Sequence, residues 1–346
     1  MKNFKIAKRK IGPGHRPLII VELGINHSGK INLAKKIVDK AYKAGAEIIK
    51  HQTHIPEFEM SEEAKKIIPI HTKDNIYKII SDCSISEKNE VILKNYVERK
   101  KMIFISTPFS KEASNRLNKL NVPAFKIGSG ECNNYPLIEH ICKFKKPVIL
   151  STGMNDIKSI KKSVKIIERY NVPYALMHTT NLYPTPYKLI RLNALKELKK
   201  NFPNSILGLS DHTGDNYTSY AAIAMGASII EKHFIDSKTR KGPDISASID
   251  YNQLKSLIDG SNKIFLSLPG KKKPVREEYS TMKFAFASVV SIKEIKKGEK
   301  FSLKNLWVKR PGTGSFLAED LKKILGKTSL NNIKKNIQIR KRDVKF

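Results

Sequence analysis

Two histidines in this sequence each follow a short apolar run that is typical of a buried strand. His212 comes shortly after the run 205–209, and His233 comes shortly after the run 227–230. The residues between them, 217–225, are rich in alanine and predict a short helix. A strand, a helix and a second strand in this order predict two parallel neighbours with their carboxyl ends on one face. The two imidazoles should therefore emerge side by side.

Adjacent imidazoles can share one divalent metal ion and leave its other coordination positions open for substrate. A carboxylate, Asp244, follows in a Gly-Pro-Asp loop just beyond the second histidine. For a single histidine, capping a turn or satisfying a buried hydrogen bond would be the commoner role. The matched placement at successive strand ends favours a metal, and we predict that His212 and His233 are metal ligands.

The composition is that of a globular chain with a strong positive charge. The chain has 346 residues, of which 40% are hydrophobic, and a formal net charge of +33. This length fits one large α/β barrel with a small appended domain. The basic residues are spread along the chain, and no RNP motif, zinc finger or basic zipper is present. We interpret the charge as solvated helix faces that also attract anionic substrates, and we predict no nucleic-acid partner. A polyanion-binding or nucleic-acid-binding protein is the alternative from another class.

Two further features of the sequence bear on the compartment. No apolar run is long enough to span a bilayer, and the basic start of the chain lacks the hydrophobic region of a signal peptide. The three cysteines, Cys83, Cys132 and Cys142, are scattered and form no CxxC pair. This usage disfavours both a disulfide framework and a thiolate zinc site. We expect a cytoplasmic protein with no membrane partner.

Apolar strand candidates alternate with helical patterns through most of the chain. The predicted strands are 18–21, 47–50, 103–106, 124–127, 148–150, 174–177, 206–209 and 228–230. The helical patterns include 33–44, 86–100, 110–120, 159–170 and 192–201. Eight strands alternating with helices predict a (β/α)₈ barrel, in which the active site lies at the carboxyl ends of the strands. The long segment 51–82 is expected to form part of the wall of that site.

The predicted strand ends carry side chains that can hold anions and move protons. They are Glu22, Asn26, His27, Lys50, Gln52, Thr107, Lys126, Ser129, Glu131, Ser151, Thr152, Asn181, Tyr183, Ser210, His212, Glu231 and His233. Any one of them alone has a structural explanation, since barrel interiors are packed and a hydroxyl after a strand often caps the next helix. Together, two lysines and several hydroxyls predict a cradle for phosphate or carboxylate. The carboxylates and histidines predict a metal and acid–base site.

The sequence pattern changes towards the carboxyl terminus. We divide the chain into a barrel domain, a Pro/Gly/Lys-rich linker and a small tail domain, at 1–268, 269–283 and 284–346. Within the tail, β-like pieces and then a short helical pattern are predicted at 284–292, 300–303, 306–309 and 318–325. The tail is too small for a large core of its own and is expected to pack on a barrel.

Several motifs resemble the sialic acid synthase family, and most closely its bacterial N-acetylneuraminate synthase type. They are VELGINH (21–27), KHQTH (50–54), ISTPFS (105–110), KIGSGECNNYP (126–136), LSTGM (150–154), NLYPTP (181–186), GLSDHT (208–213), EKHF (231–234), GPD (242–244) and, in the tail, FAFASVV and NLWVKRPG. The resemblance covers nearly the whole chain. It implies a TIM barrel followed by an antifreeze-protein-like (SAF) β-clip domain, in a domain-swapped homodimer.

The resemblance also implies roles for individual residues. The phosphoenolpyruvate cradle would consist of Lys50, Thr107, Lys126, Ser129, Ser151, Asn181 and Ser210. The amino-sugar contacts would be Gln52, Tyr183, Asp244 and Arg310 of the partner subunit. Glu22 and Glu131 would be catalytic carboxylates that act beside the two lysines, and His212 and His233 would bind Mn²⁺ or Mg²⁺. One departure lies in loop 68–77, where related enzymes offer an asparagine to the sugar. Here His71 stands near that position, with Asn75 a few residues on.

The reaction that the resemblance implies is a condensation in sialic acid biosynthesis. Phosphoenolpyruvate, N-acetylmannosamine and water would give N-acetylneuraminate and phosphate. A legionaminate or pseudaminate synthase, acting on a di-acetamido deoxy sugar, is the alternative within the same mechanistic class. The KHQTH and ECNNYP spellings favour N-acetylneuraminate by analogy. The lysine-proline-arginine signature of deoxy-heptulosonate-type synthases is absent.

Overall fold

A computed structural model of the chain describes residues 3–69 and 73–346. These residues fall into two units, the first ending at Pro269 and the second spanning Gly270–Phe346. Within the described residues, none of the helices combines the length and the apolar character needed to cross a membrane.

An antiparallel hairpin, which the sequence analysis did not predict, begins the first unit. Its strands are β1, Phe4–Ile6, and β2, Arg9–Ile11. The apolar side chains of the hairpin share one buried cluster with residues that begin barrel strands, among them Leu18, Ile48 and Ile229. The hairpin therefore packs against the amino-terminal end of the barrel, away from the carboxyl ends where a site is expected.

A closed barrel of eight parallel strands forms the centre of the first unit. Each of the eight predicted strands is present, and the last strand pairs with the first to close the barrel. The strands are β3 Leu18–Glu22, β4 Ile48–Thr53, β5 Ile103–Pro108, β6 Phe125–Ile127, β7 Val148–Ser151, β8 Tyr174–Thr179, β9 Ile206–Asp211 and β10 Ile229–His233. The prediction of a (β/α)₈ barrel is confirmed.

Most of these strands continue beyond the apolar runs that predicted them. The run 206–209 becomes β9, which extends to Asp211, and the run 228–230 becomes β10, which extends to His233. Polar residues are tolerated here largely because they pair between the two strands, Ser210 with Glu231 and Asp211 with Lys232. Many of the candidate site residues therefore lie on sheet backbone rather than on loops.

Helices surround the barrel and bury an apolar stripe against it. The helices of the first unit are α1 Ile31–Lys43, α2 Pro56–Glu59, α3 Ile76–Cys83, α4 Glu87–Arg99, α5 Lys111–Lys119, α6 Tyr135–Cys142, α7 Ile157–Arg169, α8 Tyr187–Ile190, α9 Ala194–Asn201, α10 Tyr217–Ala224 and α11 Tyr251–Ser267, with 3₁₀ helices at Glu62–Lys66, Gly130–Asn133 and Ile245–Ala247. Helix α7 shows the pattern clearly, since Ile160, Val164 and Ile167 are buried at a spacing of three or four residues.

The second unit has its own small core and two short antiparallel pairs. Strand β11, Ser288–Ser291, pairs with β12, Leu306–Lys309, and β13, Thr328–Ser329, pairs with β14, Val344–Lys345. Its helices are α12 Tyr279–Ala285 and α13 Leu321–Ile324, with 3₁₀ helices at Arg276–Glu278, Ala318–Asp320 and Lys341–Asp343. Buried residues such as Val289, Phe301 and Ile339 form one cluster.

The detail of the second unit differs from the sequence-based expectations in three places. The segment expected to be a linker contains a 3₁₀ helix and most of α12. The β-like piece at 300–303 makes a single bridge, from Lys300 to Thr328. The helical pattern 318–325 is a 3₁₀ turn followed by one turn of α-helix.

Candidate active site at the carboxyl ends of the barrel strands

A polar cavity of about 160 Å³ opens at the carboxyl ends of the strands, and all eight strands contribute to it. Its walls contain most of the residues singled out from the sequence. They are Glu22, Lys50, Gln52, Thr107, Lys126, Ser129, Glu131, Ser151, Asn181, Tyr183, Ser210, His212, Glu231 and His233, together with Phe109 and Thr179. The barrel thus brings together in one cavity residues that are more than 200 positions apart in the chain.

The floor of the cavity holds two lysines and two glutamates in contact. Lys50 Nζ lies 2.7 Å from Glu22 Oε2 and 4.0 Å from Glu231 Oε1. Lys126 Nζ lies 3.0 Å from the same Glu231 oxygen. The hydroxyl of Ser210 donates to that oxygen at 2.9 Å, and Lys50 donates to the hydroxyl of Thr107 at 3.0 Å. Glu231 is therefore the common partner of both lysines.

Burial and these charges together set the protonation of the floor. Burial lowers the pKa of Lys126, whereas Glu22 and Glu231 outweigh burial at Lys50 and hold its pKa above the ordinary value. Burial raises the pKa of Glu22. At Glu231 burial acts in the same direction, but the adjacent lysines outweigh it and hold the pKa below its usual range. An incoming anion would meet two lysines that are buried and already held in place by carboxylates.

Hydroxyl and amide groups ring the wall above this floor. Ser151 Oγ and Asn181 Oδ1 are buried and have no hydrogen-bond partner among the described residues. Ser129 Oγ accepts a hydrogen bond from the backbone N–H of Gly153 at 3.1 Å. A side chain at Gly153 would collide with Asn181, so only glycine lets the backbone approach this closely. Unpaired buried groups of this kind are suited to a polar ligand.

The two histidines lie side by side, as the order of the strands predicts. Their ring centroids are 5.4 Å apart, and both side chains are buried. His212 Nδ1 lies 2.9 Å from the carbonyl oxygen of Thr180. Because a carbonyl can only accept, Nδ1 carries the proton and the lone pair of Nε2 is left free. Burial lowers the pKa of each histidine to about 3, so both rings are neutral at ordinary pH.

A neutral imidazole with its second nitrogen anchored to a backbone carbonyl is the usual form of a metal-binding histidine. Asp244 lies behind this pair, with Oδ2 3.4 Å from His233 Nδ1. In the described part of the chain, no group of three or more histidine, cysteine, aspartate or glutamate side chains could hold a metal ion. The donor set that is present fits a metal bound by two imidazoles, with the remaining ligands supplied by substrate and water.

The mouth of the cavity is lined by an aromatic ring and a carboxyl group. Tyr183 stacks on His212 with ring centroids 4.2 Å apart and meets His233 edge-on. Glu131 lies on the opposite side, and burial together with the negative charge of Glu59 raises its pKa to about 7. A carboxyl group with this pKa can exchange a proton near neutral pH.

Several of the sequence-based assignments lie outside the cavity lining, among them the strand-end residues Asn26, His27 and Thr152. Arg310 is exposed in the second unit, directly after β12. Asn75 caps α3, where its side chain accepts from the N–H of Lys78 at 2.8 Å. His71 lies outside the described residues. Asp244 does not line the cavity, but it contacts a residue that does.

Glu231 has a larger place in the site than the sequence analysis gave it. It was included among the strand ends but was assigned no role beside Lys50 and Lys126. Its position in the Glu-Lys-His end of β10, two residues from His233 and therefore on the same face of the strand, was the available signal. Phe109 and Thr179 also line the cavity. Phe109 lies in the ISTPFS motif but was assigned no role, and Thr179 lies beyond the predicted end of its strand.

Comparison with known families gives two matches along the chain. The profile of the NeuB family matches residues 37–273, and the profile of the SAF domain matches residues 286–345. The first match covers the barrel from β4 to β10 and most of the residues that line the cavity. The second lies within the unit that begins at Gly270.

Individual relatives are similar over almost their whole length. An uncharacterized protein of Methanocaldococcus jannaschii is 40% identical, over 91% of this chain and 90% of its own. The N,N'-diacetyllegionaminic acid synthase of Campylobacter jejuni is 37% identical, over 94% of this chain and 99% of its own. Among solved structures, the N-acetylneuraminic acid synthetase of Leptospira borgpetersenii is 29% identical with a TM-score of 0.74, over 81% of this chain and 95% of its own.

Proposed function

Because this chain belongs to the NeuB family, we propose that it condenses phosphoenolpyruvate with an N-acetylated amino sugar and water, and releases phosphate. The observation that carries this proposal is the floor of the cavity. There Lys50 and Lys126 are buried, ion-paired and surrounded by hydroxyl groups. A small substrate with both a carboxylate and a phosphate matches two lysines that approach one point from two strands.

The anion would be held by exchange of partners at the floor. In the free protein, Glu231 contacts both lysines, and the unpaired oxygen atoms of Ser151 and Asn181 face the same cavity. An arriving phosphate or carboxylate gains charged hydrogen bonds from Lys126 and Lys50, while the serine hydroxyl can donate to it. The same groups stabilise the negative charge that leaves with phosphate.

His212 and His233 would hold the metal that this chemistry uses. Both rings are neutral, buried and adjacent, as the coordination of a divalent ion requires. A bound Mn²⁺ or Mg²⁺ would supply a Lewis acid for the aldehyde oxygen of the open-chain sugar. The carbonyl of Thr180 keeps His212 in one tautomer, so the ring is preorganised for this role.

Glu131 is our candidate for proton transfer to or from water and sugar. It lines the cavity, one of its oxygens is buried without a partner, and its pKa is raised to about 7. Glu22 is the second carboxylate, but its ion pair with Lys50 at 2.7 Å suits it better to orienting that lysine. When water adds to the carbon that bore the phosphate ester, a base at Glu131 would accept the proton.

N-acetylmannosamine is the sugar that we propose, with N-acetylneuraminate as the product. Gln52 and Tyr183 line the cavity and can contact a hydroxyl or an N-acetyl group. A di-acetamido deoxy sugar is the second candidate, and the 37% identity to the C. jejuni legionaminic acid synthase favours it.

The free cysteines suit a reducing compartment and support a cytoplasmic location.

Phosphate release from phosphoenolpyruvate tests this proposal with a panel of sugars. The purified protein would be assayed with N-acetylmannosamine, with di-acetamido deoxy sugars and without sugar, in the presence of Mn²⁺ or Mg²⁺. We expect release that requires both phosphoenolpyruvate and one class of acetamido sugar. The proposal is wrong if phosphate appears at the same rate without any sugar. It is also wrong if no sugar of the panel supports phosphate release.

We further propose that Arg310 completes the sugar site of a second copy of the chain in a domain-swapped homodimer. Arg310 is exposed at the end of β12, and its segment NLWVKRPG resembles the one that crosses between subunits in related synthases. A guanidinium is always charged and can hold a carbonyl or two hydroxyls in fixed geometry.

Mixing of inactive variants tests the shared site. Lys126→Ala and Arg310→Ala chains would be unfolded or dissociated together and reassembled. If the site is shared, each mixed dimer has one site with both lesions and one intact site. Activity should then return to about half of the wild-type level per mixed dimer. If no activity returns although mixed dimers form, each site belongs to one chain and the proposal fails.

A further inference from the structure

A chain of hydrogen-bonded side chains leads from the floor of the cavity to helix α2. Gln52 Nε2 donates to Glu22 Oε1 at 2.9 Å, and Gln52 Oε1 lies 3.1 Å from His54 Nε2. The other ring nitrogen, His54 Nδ1, lies 2.8 Å from Glu59 Oε2. His54 ends the KHQTH motif, yet it has no part in the chemistry proposed above, and Glu59 enters there only through its charge near Glu131.

The His54 ring is held in place from its face as well as from its edge. The side chain is only 6% exposed. It stacks on Phe109 with ring centroids 4.3 Å apart and an interplanar angle of 12°. A ring fixed by stacking and by two polar contacts has little freedom to turn. Its two nitrogen atoms therefore keep a fixed position relative to the Gln52 side chain.

The partners of His54 determine where its protons must be. Glu59 is a carboxylate and can only accept, so Nδ1 must donate. The amide oxygen of Gln52 can also only accept, so Nε2 must donate as well. In this arrangement both ring nitrogens carry protons, and the ring is an imidazolium paired with Glu59.

The opposite orientation of the Gln52 amide would have a different proton requirement. With the amide turned over, its N–H would donate to a neutral His54, and its oxygen would face Glu22. Two oxygens can share a hydrogen bond only if one of them bears a proton, so Glu22 would have to be protonated. The orientation of Gln52 is therefore tied to whether one proton resides on His54 or on Glu22.

We infer that His54, charged and held by Glu59 and Phe109, is a positioning residue that fixes the orientation of the Gln52 amide. This inference rests on the proposed role of Gln52 as a sugar contact. In the observed orientation, one N–H of Nε2 and one lone pair of Oε1 remain for a ligand in the cavity. Loss of His54 would leave Oε1 of Gln52 without its donor, so the amide could turn whenever Glu22 carries a proton. The donor and the acceptor that meet the amino sugar would then exchange places.

Two variants and a matched control test the role in binding. His54→Phe keeps the stacking on Phe109 but removes both polar contacts. Glu59→Gln keeps a polar side chain but removes the charge that holds the imidazolium. Each should raise the KM for the amino sugar about tenfold, the loss expected for a charged hydrogen bond, and leave the KM for phosphoenolpyruvate unchanged. Glu57→Gln, on the same short helix but exposed, should change neither constant.

A purely structural role for His54 would give a different pattern. If the two KM values rise together, or if neither changes in Glu59→Gln, the positioning role is wrong. Because His54→Phe could destabilise the barrel, its fold is checked by circular dichroism. If His54→Phe does not fold, the result with Glu59→Gln alone decides the test.

The protonation of the ring gives a readout that does not depend on catalysis. Histidine labelled with ¹⁵N would be incorporated, and the His54 signals would be assigned by their disappearance in His54→Phe. We expect both ring nitrogens to show the chemical shifts of protonated nitrogen at the pH of the assay. A bare nitrogen would overturn the inference, even if the wild-type enzyme turned over an acetamido sugar. If the enzyme accepts no sugar, the proposed function fails, while the NMR result still decides the state of His54.

Discussion

Replacing Lys126 with methionine tests the two roles of this lysine. It neutralises the charge of Glu231 and, in the proposed function, it binds the substrate. Methionine keeps most of the side-chain volume but removes the charge. The Nζ to Oε1 distance of 3.0 Å corresponds to an attraction of about 5.5 kcal/mol at an effective dielectric constant of 20. Much of this attraction is offset by the cost of desolvating the two charges. Breaking a buried pair by removing one partner costs about 3–5 kcal/mol in measured cases.

We expect the lower end of this range for Lys126→Met. Glu231 keeps a second cation, Lys50, at 4.0 Å and the hydroxyl of Ser210 at 2.9 Å. The free energy of unfolding should therefore fall by about 3 kcal/mol in urea denaturation. Lys119→Met is the matched control, because that lysine is exposed and its ion pair with Glu87 spans 3.7 Å. It should change stability by less than about 1 kcal/mol.

A double variant distinguishes electrostatic balance from substrate binding. In Lys126→Met/Glu231→Gln neither charge of the pair is present, so no carboxylate is left buried without Lys126. This variant should be more stable than Lys126→Met alone, with a coupling of at least about 1 kcal/mol. Its activity should not return, because the cation that binds the anionic substrate is still missing.

Kinetic constants complete this test. Lys126→Met should raise the KM for phosphoenolpyruvate about tenfold to hundredfold, because a hydrogen bond to a charged group contributes about 1.5–3 kcal/mol. The KM for the sugar should change little. The reasoning is refuted if Lys126→Met is as stable as Lys119→Met, or if the change in KM is confined to the sugar.

Two further predictions concern Glu131 and the histidine pair. Burial raises the pKa of Glu131 from 4.5 to about 7. Between these two pH values the folded protein keeps a proton that the unfolded chain releases. The free energy of unfolding therefore falls as the pH rises from 4.5 to about 7. Glu131→Gln should make that fall smaller, because the contribution of Glu22, whose pKa is also raised, would remain. Urea midpoints at about pH 5 and about pH 8 measure the change, and an unchanged pH dependence would contradict the assignment. His212→Ala and His233→Ala should each abolish binding of Mn²⁺ and turnover while circular dichroism stays unchanged. Titration with Mn²⁺ checks this, with His140→Ala, a partly buried histidine outside the cavity, as the control. Full activity of a metal-stripped His212→Ala variant would refute the metal site.

The barrel could be predicted from the sequence because its strands are buried on both sides. Such strands appear as short apolar runs, and runs such as 206–209 and 228–230 were visible for this reason. The predicted strands end too early at their carboxyl ends, because the apolar pattern stops at the first polar residue. The ladder continues through Asp211 and His233, where Asp211 pairs with Lys232 and His233 faces the cavity.

The hairpin at the start of the chain could not be recognised in the same way. Its strands are three residues long, and lysines and arginines separate the apolar positions Phe4, Ile6 and Ile11. These residues are buried only because the barrel supplies a surface for them. The structure of the tail was harder still to predict from the sequence. Its core residues lie on short segments that are joined by isolated β-bridges rather than by long ladders.

Membership of the candidate site followed from the sequence more readily than the contacts within it. The rule that active sites lie at the carboxyl ends of barrel strands was enough to select Lys50, Lys126 and the histidines. The rule does not say which side chains touch. That Glu231 joins the two lysines, and that Phe109 stacks on His54, depend on distances across the barrel. No spacing along the chain encodes them.

The most direct test of the proposed condensation follows the oxygen atoms in water enriched in ¹⁸O. The protein would be incubated with phosphoenolpyruvate, N-acetylmannosamine and Mn²⁺, and both products would be analysed by mass spectrometry. If water adds to carbon in the cavity formed by Lys50, Lys126 and Glu131, the sugar acid forms and the released phosphate contains no ¹⁸O. Phosphate that carries ¹⁸O and forms without a sugar acid would show that water attacks phosphorus, and would contradict the account.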